Sequence, residues 1–276
     1  MDLTQQQYKI SQLPENNKKN NFNNILASEE SRVKLKNSSS DYINANYIFG
    51  DKYIATQQPN NHTIIDFWYM VHQTKSRIII NLTGENNYLP LNNINHTFHN
   101  IEVKILNTSN NENLEIRKLE VTNFLSQEQP LITYHVTFKK WKDFDIPKEE
   151  AFMRLLTLTN ILESKEHKNR PIIVHCKAGV GRTGTFILIH YLYKQTQLGN
   201  YLDPLDTVRL MRKARYGMVQ NNKQFNFVLN MINKLPNKVK KNNNKKISLT
   251  SSCGEIHNKV CIIKKNLSMS SDVIMS

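Results

Sequence analysis

Five residues separate Cys176 from Arg182, and two of them, Gly179 and Gly181, are glycine. Pro171-Ile-Ile-Val-His175 leads into this stretch as a short apolar run rich in β-branched residues, the pattern of a buried strand. Gly184 to Gln195 leads out of it as an apolar helix. A buried strand that enters a helix through a tight, glycine-bearing loop commits this part of the chain to a sheet covered by helices.

The rest of the chain follows the same plan. Asp41–Ile48, Tyr53–Ala55, Arg77–Thr83, Glu115–Val121 and Leu131–Phe138 have strand character. Thr63–Thr74 and Glu149–Ser164 place apolar residues at helical spacing, and Leu205–Arg215 and Asn222–Leu235 form a further helical pair. The Asn-rich stretch 84–113 reads as loops with short strands. Strands alternating with helices predict an α/β or α+β domain of residues 19–236. A polar lead-in (1–18) precedes it, and a basic, Asn/Lys/Ser-rich tail (237–276) with the composition of a disordered segment follows.

The formal charge of +14 suits phosphorylated ligands, nucleic acid or anionic membrane. Much of it lies in the run Lys234–Lys246, which reads as a solvated tail, with nuclear targeting or a membrane-surface role as its functional alternative. Three cysteines, two of them late and in polar surroundings, make no disulfide framework and predict a reducing, cytoplasmic setting. Met1–Asn24 is polar throughout, so no secretory leader is expected. No apolar run approaches the length of a membrane span. No metal-ligand spacing occurs, and neither a metal nor a cofactor is expected.

The loop after Cys176 has a chemical logic. Lys177, Ala178, Gly179, Val180 and Gly181 can curl so that their backbone N–H groups converge on one point. The following helix aims its positive N-terminus there. Arg182 can grip two oxygens of an oxyanion bound in that cup. The Cys176 sulfur would lie beneath the phosphorus, and the same positive field favours the thiolate, the nucleophilic form. A nucleotide-binding glycine loop does not fit, since no Lys-Ser/Thr pair closes it.

Val174-His-Cys-Lys-Ala-Gly-Val-Gly-Arg-Thr-Gly184 resembles the signature loop of the receptor and non-receptor tyrosine-specific protein phosphatases. The resemblance runs from about residue 18 to 235 and includes Asp41–Ile48, Tyr53–Gln57, Asp66-Phe-Trp68 and Arg212–Gln224. It implies an α/β fold, a single domain with a twisted mixed central sheet flanked by helices. It also implies a cysteinyl-phosphate mechanism acting on phosphotyrosine-containing proteins. By resemblance, Asp143 in Trp141-Lys-Asp-Phe-Asp-Ile-Pro147 is the general acid, with Asp145 as fallback. Gln220 orients the hydrolytic water, and Gln224 assists. Thr183 is implied to hydrogen-bond the thiolate, His175 to support the loop, and Arg212 and Arg215 to brace it. Phe22 stands where the family has a tyrosine that stacks on the substrate ring, and Asn24 where it holds the substrate backbone. The Asn-rich composition and short length are also similar to phosphatases of insect viruses carried by parasitoid wasps.

Four departures from the family pattern stand out. Lys142 replaces a proline, Asn21 an arginine and Gln58 a glycine, and the block that braces the catalytic arginine is reduced to Glu85 and Tyr88-Leu-Pro90. The expectation is an active, monomeric phosphotyrosine phosphatase that binds no nucleic acid. A weakly active or inactive phosphotyrosine-binding protein is the alternative these departures favour. A phosphatase for RNA 5′ ends or phosphoinositides is a third reading, which the Phe22 block argues against.

Overall fold

Ile172-Ile-Val-His-Cys176 is buried at every position and pairs on both sides in a parallel sense, which places it in the middle of a sheet. A computed structural model describes residues 6–36, 40–90, 95–166 and 170–235. Its nine strands are β1 (Arg32–Lys34), β2 (Tyr42–Ile48), β3 (Tyr53–Gln57), β4 (Ile78–Asn81), β5 (His96–Phe98), β6 (Ile101–Asn110), β7 (Leu114–Asn123), β8 (Leu131–Phe138) and β9 (Ile172–Cys176). They form one mixed sheet in the order β1-β2-β3-β9-β4-β8-β7-β6-β5. Strands β3, β9, β4 and β8 run parallel, and the outer pairs are antiparallel.

The apolar runs of β4 and β9 follow from burial on both faces. Ile78, Ile80, Ile172 and Val174 belong to one core, and Ile79 and Ile173 to the other. The first core is filled by α2 (Glu149–Glu166), α3 (Gly181–Gln197) and α5 (Asn222–Lys234). The second is filled from α1 (Ile64–Thr74), with Phe67, Trp68, Met70 and Val71 buried. Helix α4 (Pro204–Ala214) follows α3, capped by Asp203 and started by a proline. In such sheets ligands bind outside the carboxyl ends of the parallel strands, and Cys176 ends β9 at that edge.

The α/β architecture is the one implied by the resemblance. The Asn-rich stretch departs from its reading as loops with short strands, because β6 is ten residues long. Ile101, Val103 and Ile105 alternate as a strand should. A register shift between Ile105 and Asn107 then breaks the pattern, and the polar remainder hides the strand. The lead-in holds a 3-10 helix, Pro14–Lys19. The expectations for residues 237–276, including the basic run, Cys253 and Cys261, fall outside the described residues. Among the described residues no helix is long and apolar enough to cross a membrane.

Candidate active site

Gly179 has φ +71°, and a Cβ there would lie 2.2 Å from the carbonyl oxygen of Thr56 on β3. Only glycine allows the loop to turn this tightly against the neighbouring strand. Arg215, fully buried after α4, pulls on the outside of the same turn. Its Nε donates to Gly179 O at 2.9 Å and its Nη2 to Ala178 O at 3.0 Å. Nη1 and Nη2 also donate to Asn46 Oδ1 and Asn44 Oδ1, both at 2.7 Å. Burial lowers its pKa to about 10, so it remains a cation at neutral pH. These bonds tie down the carbonyls of Ala178 and Gly179 and leave the loop N–H groups unengaged by them. Between Lys177 and Val180 none of them donates to another backbone carbonyl among the described residues. Helix α3 begins at Gly181 and adds its unpaired first-turn N–H groups.

Cys176 is 3% exposed, at the floor of a cavity of about 390 Å³. Phe22, Asn24, Asp143, Lys177, Ala178, Gly181, Arg182, Gln220 and Gln224 line that cavity with it. Gly179 and Val180 do not line it with their side-chain positions, and only their backbone N–H groups are left to serve the expected binding role. Gly179 abuts Thr56, and Val180 is buried in the core as the N-cap of α3. Trp141, His175 and Thr183 also stand behind the cavity wall. A larger cavity of about 730 Å³ lies beside Arg170 and Pro171, at the far end of β9, and no cysteine lines it.

Arg182 is held in place by the protein. Its Nη1 donates to Leu82 O at 3.0 Å and Trp141 O at 2.7 Å, and its Nη2 pairs with Asp143 Oδ1. Nε is buried without a partner. Glu85, the remnant of the bracing block, does not reach Arg182: its carboxylate accepts from Gln58 Nε2 at 3.1 Å. The backbone of Leu82, just past β4, takes over the bracing. Asn21 donates to Gln58 O at 2.7 Å, so the loop carrying Phe22 is tied to the chain just past β3 without an arginine. Gln57 adds a second tie, accepting from Asn21 N at 2.9 Å and donating to Lys19 O at 2.6 Å.

The loop Trp141–Pro147 covers one side of the cavity. Trp141 is buried and donates from Nε1 to Asp145 O at 2.8 Å. Asp143 faces Arg182 and Lys177. Asp145 turns away and pairs with Lys223, whose hydrogen bond lowers its pKa. The fallback acid therefore does not face Cys176. Gln224 is fully buried. Its Oε1 accepts from Gln220 N at 3.0 Å, while its Nε2 has no partner and lies beside Gly181. Arg212 fixes the segment before Gln220 through Met218 O at 2.9 Å and Val219 O at 2.6 Å.

His175 is fully buried, with Nε2 2.5 Å from Tyr88 Oη, which is also 2.6 Å from His135 Nε2. One hydroxyl hydrogen serves two rings, so Tyr88 donates to one histidine and accepts from the other. Burial, and secondarily the Arg182 cation, lower the His175 pKa to about 3, which removes it as a base. Among the described residues Thr183 Oγ1 is buried without a hydrogen-bond partner, and the expected bond to the Cys176 sulfur is not formed. Asn44, Asn46 and Leu82 were missed as loop supports. The signal for the first two is a pair of amides two apart on one face of a buried strand, which calls for a shared polar partner.

A buried sulfur at a glycine-bearing loop, with a fixed guanidinium and a carboxylate loop around the same cavity, makes this the candidate active site. A family model described as protein-tyrosine phosphatase matches residues 16–234. Arabidopsis thaliana protein-tyrosine-phosphatase PTP1 is 34% identical over 79% of this chain and 70% of its own length. Human receptor-type tyrosine-protein phosphatase H is 33% identical over 79% of the chain and 21% of its own length. Rat tyrosine-protein phosphatase non-receptor type 2 is 30% identical over 80% of the chain and 56% of its own length. The chain thus spans about half of the rat relative and about a fifth of the human receptor. It belongs to the protein-tyrosine phosphatase family.

Proposed function

We propose that this protein hydrolyses phosphotyrosine in proteins through a cysteinyl-phosphate intermediate. The observation that carries the reading is Cys176 in the lining of the cavity, beside loop N–H groups that no backbone carbonyl engages, with Arg182 Nε and Gln224 Nε2 buried without acceptors among the described residues. Buried donors without acceptors are costly unless a ligand satisfies them, and a phosphoryl dianion supplies several acceptors at once. Phe22, 41% exposed at the rim, offers an aromatic face at the depth a phenyl phosphate reaches and a phosphoserine does not.

In this reading the Cys176 thiolate attacks phosphorus, the S–P bond forms and the bond to the tyrosine oxygen breaks. Asp143 gives its proton to the departing oxygen. It then takes a proton from a water aligned by Gln220, and that water releases phosphate from sulfur. The amide cup and Arg182 stabilise the transition-state charge. A nucleophilic thiolate requires a reduced cysteine, which supports a reducing, intracellular setting. Residues 19–236 constitute the phosphatase domain in this account.

A second reading, a slow enzyme that mainly captures phosphotyrosine, is favoured by Asp143 engaging Arg182 Nη2, a donor that the phosphate itself requires. Turnover of a phosphotyrosine peptide separates the two. The expected results are Cys176-dependent hydrolysis, none for Cys176→Ser, and a rate about 10²–10⁴-fold lower for Asp143→Ala with binding retained. Binding without turnover by the wild type would favour capture, and hydrolysis by Cys176→Ser would overturn both.

A further inference from the structure

The loop that carries Asp143 is fastened from two sides. Lys177, the residue after Cys176, places its ammonium 3.3 Å from Asp143 Oδ2. Lys223, in the first turn of α5, pairs with Asp145. Phe144 between the two aspartates has φ +58°, so the backbone reverses there and sends one carboxylate to the phosphate loop and the other to α5. Asn221, the cap of α5, donates to Phe144 O at 3.0 Å, on the same side as Lys223. Lys142 is exposed and supplies no ring to restrain the backbone before Asp143.

We propose that Lys177 and Lys223 are positioning residues that clamp the acid loop over Cys176 through paired struts, Lys177–Asp143 and Lys223–Asp145. The proposal rests on the phosphatase reading and adds residues that the mechanism above does not use. An ammonium donates hydrogen bonds and accepts none, so Lys177 holds Asp143 Oδ2 as an acceptor while Arg182 Nη2 holds Oδ1. Arriving phosphate competes with Asp143 for Arg182 Nη2, and the Lys177 strut keeps the carboxyl in place during that exchange. The Lys223 strut is half exposed, and a pair of that kind shifts a loop equilibrium by only about threefold, enough to change how often the acid is in position.

The test compares two substrates in the same enzyme. A phosphotyrosine peptide needs its leaving oxygen protonated, whereas an aryl phosphate with a strongly acidic phenol does not. The readout is the ratio of kcat on the first to kcat on the second. Lys177→Met is expected to lower that ratio about threefold, with Lys177→Arg restoring most of it. Asp145→Asn and Lys223→Met are each expected to lower it about threefold, and the exchange Asp145→Lys with Lys223→Asp to return it to within about twofold of wild type. An unchanged ratio in Lys177→Met and Asp145→Asn, or an exchange no better than Asp145→Asn alone, overturns the clamp while leaving the phosphatase reading intact. Absence of Cys176-dependent turnover in the wild type would overturn that reading and the clamp with it.

Discussion

Arg215 Nε lies 2.9 Å from the carbonyl oxygen of Gly179, on the side of the loop away from the cavity. A buried cation thus shapes, from behind, the loop that cups the anion in the proposed function. Arg215→Met would leave four buried acceptors, Asn44 Oδ1, Asn46 Oδ1, Ala178 O and Gly179 O, without this donor. Loss of about 3–5 kcal/mol of stability is expected, measured by denaturant unfolding. Arg215→Lys keeps the charge and cannot serve all four acceptors. It should fold and bind inorganic phosphate at least tenfold more weakly. Unchanged phosphate affinity would contradict the bracing role.

Gly179 and Gly181 predict different outcomes for the same substitution. A Cβ at Gly179 meets backbone, Thr56 O, at 2.2 Å and sits at a positive φ. Gly179→Ala should cost about 3 kcal/mol and abolish phosphate binding. A Cβ at Gly181 meets side chains, Gln220 Oε1 at 2.9 Å and Gln224 Nε2 at 3.1 Å, which can move. Gly181→Ala should cost under about 1 kcal/mol in stability while slowing release of phosphate from the enzyme. Unfolding curves and pre-steady-state phosphate release distinguish the two.

Stability should fall on mild acidification. Burial holds His175 neutral, with its pKa lowered to about 3, and His190 likewise, to about 4; His135 is shifted in the same direction. The unfolded chain takes up these protons near pH 6.5, whereas the folded protein does not. Their contribution is therefore complete above about pH 6.5 and is lost as pH falls toward 4. His175 and His190 together predict a stability about 3 kcal/mol lower at pH 5.5 than at pH 7.5. Equal unfolding free energies at the two values would contradict their neutral burial.

Phe22 should affect the aryl group and not the phosphate. Phe22→Ser removes a ring face worth about 1 kcal/mol, so KM for a phosphotyrosine peptide should rise about fivefold. Affinity for inorganic phosphate should stay within twofold. Equal weakening of both would place Phe22 in loop support and not in ring recognition.

The strand, loop and helix around Cys176 were legible because several independent constraints fall on few residues. Burial on both faces makes β9 continuously apolar, and a five-residue turn needs glycine where it touches β3. The acid loop was legible only in part. Trp141 and Pro147 located it and the resemblance put Asp143 ahead of Asp145, but nothing in the loop's own residues shows which carboxylate turns toward Arg182. That choice depends on the left-handed Phe144 and on Lys223, 78 residues further along the chain. The support of Arg182 by Leu82 O was invisible because a backbone carbonyl leaves no trace in side-chain identity. Strand β6 was obscured by asparagines that tolerate an exposed sheet region without favouring it.

The most direct test is rapid-quench mass spectrometry of the enzyme mixed with a phosphotyrosine peptide. The account predicts a transient phosphoryl group on the peptide fragment containing Cys176, formed faster than steady-state turnover and prolonged by Gln220→Ala. Phosphate release at the wild-type rate with no adduct on that fragment would contradict it.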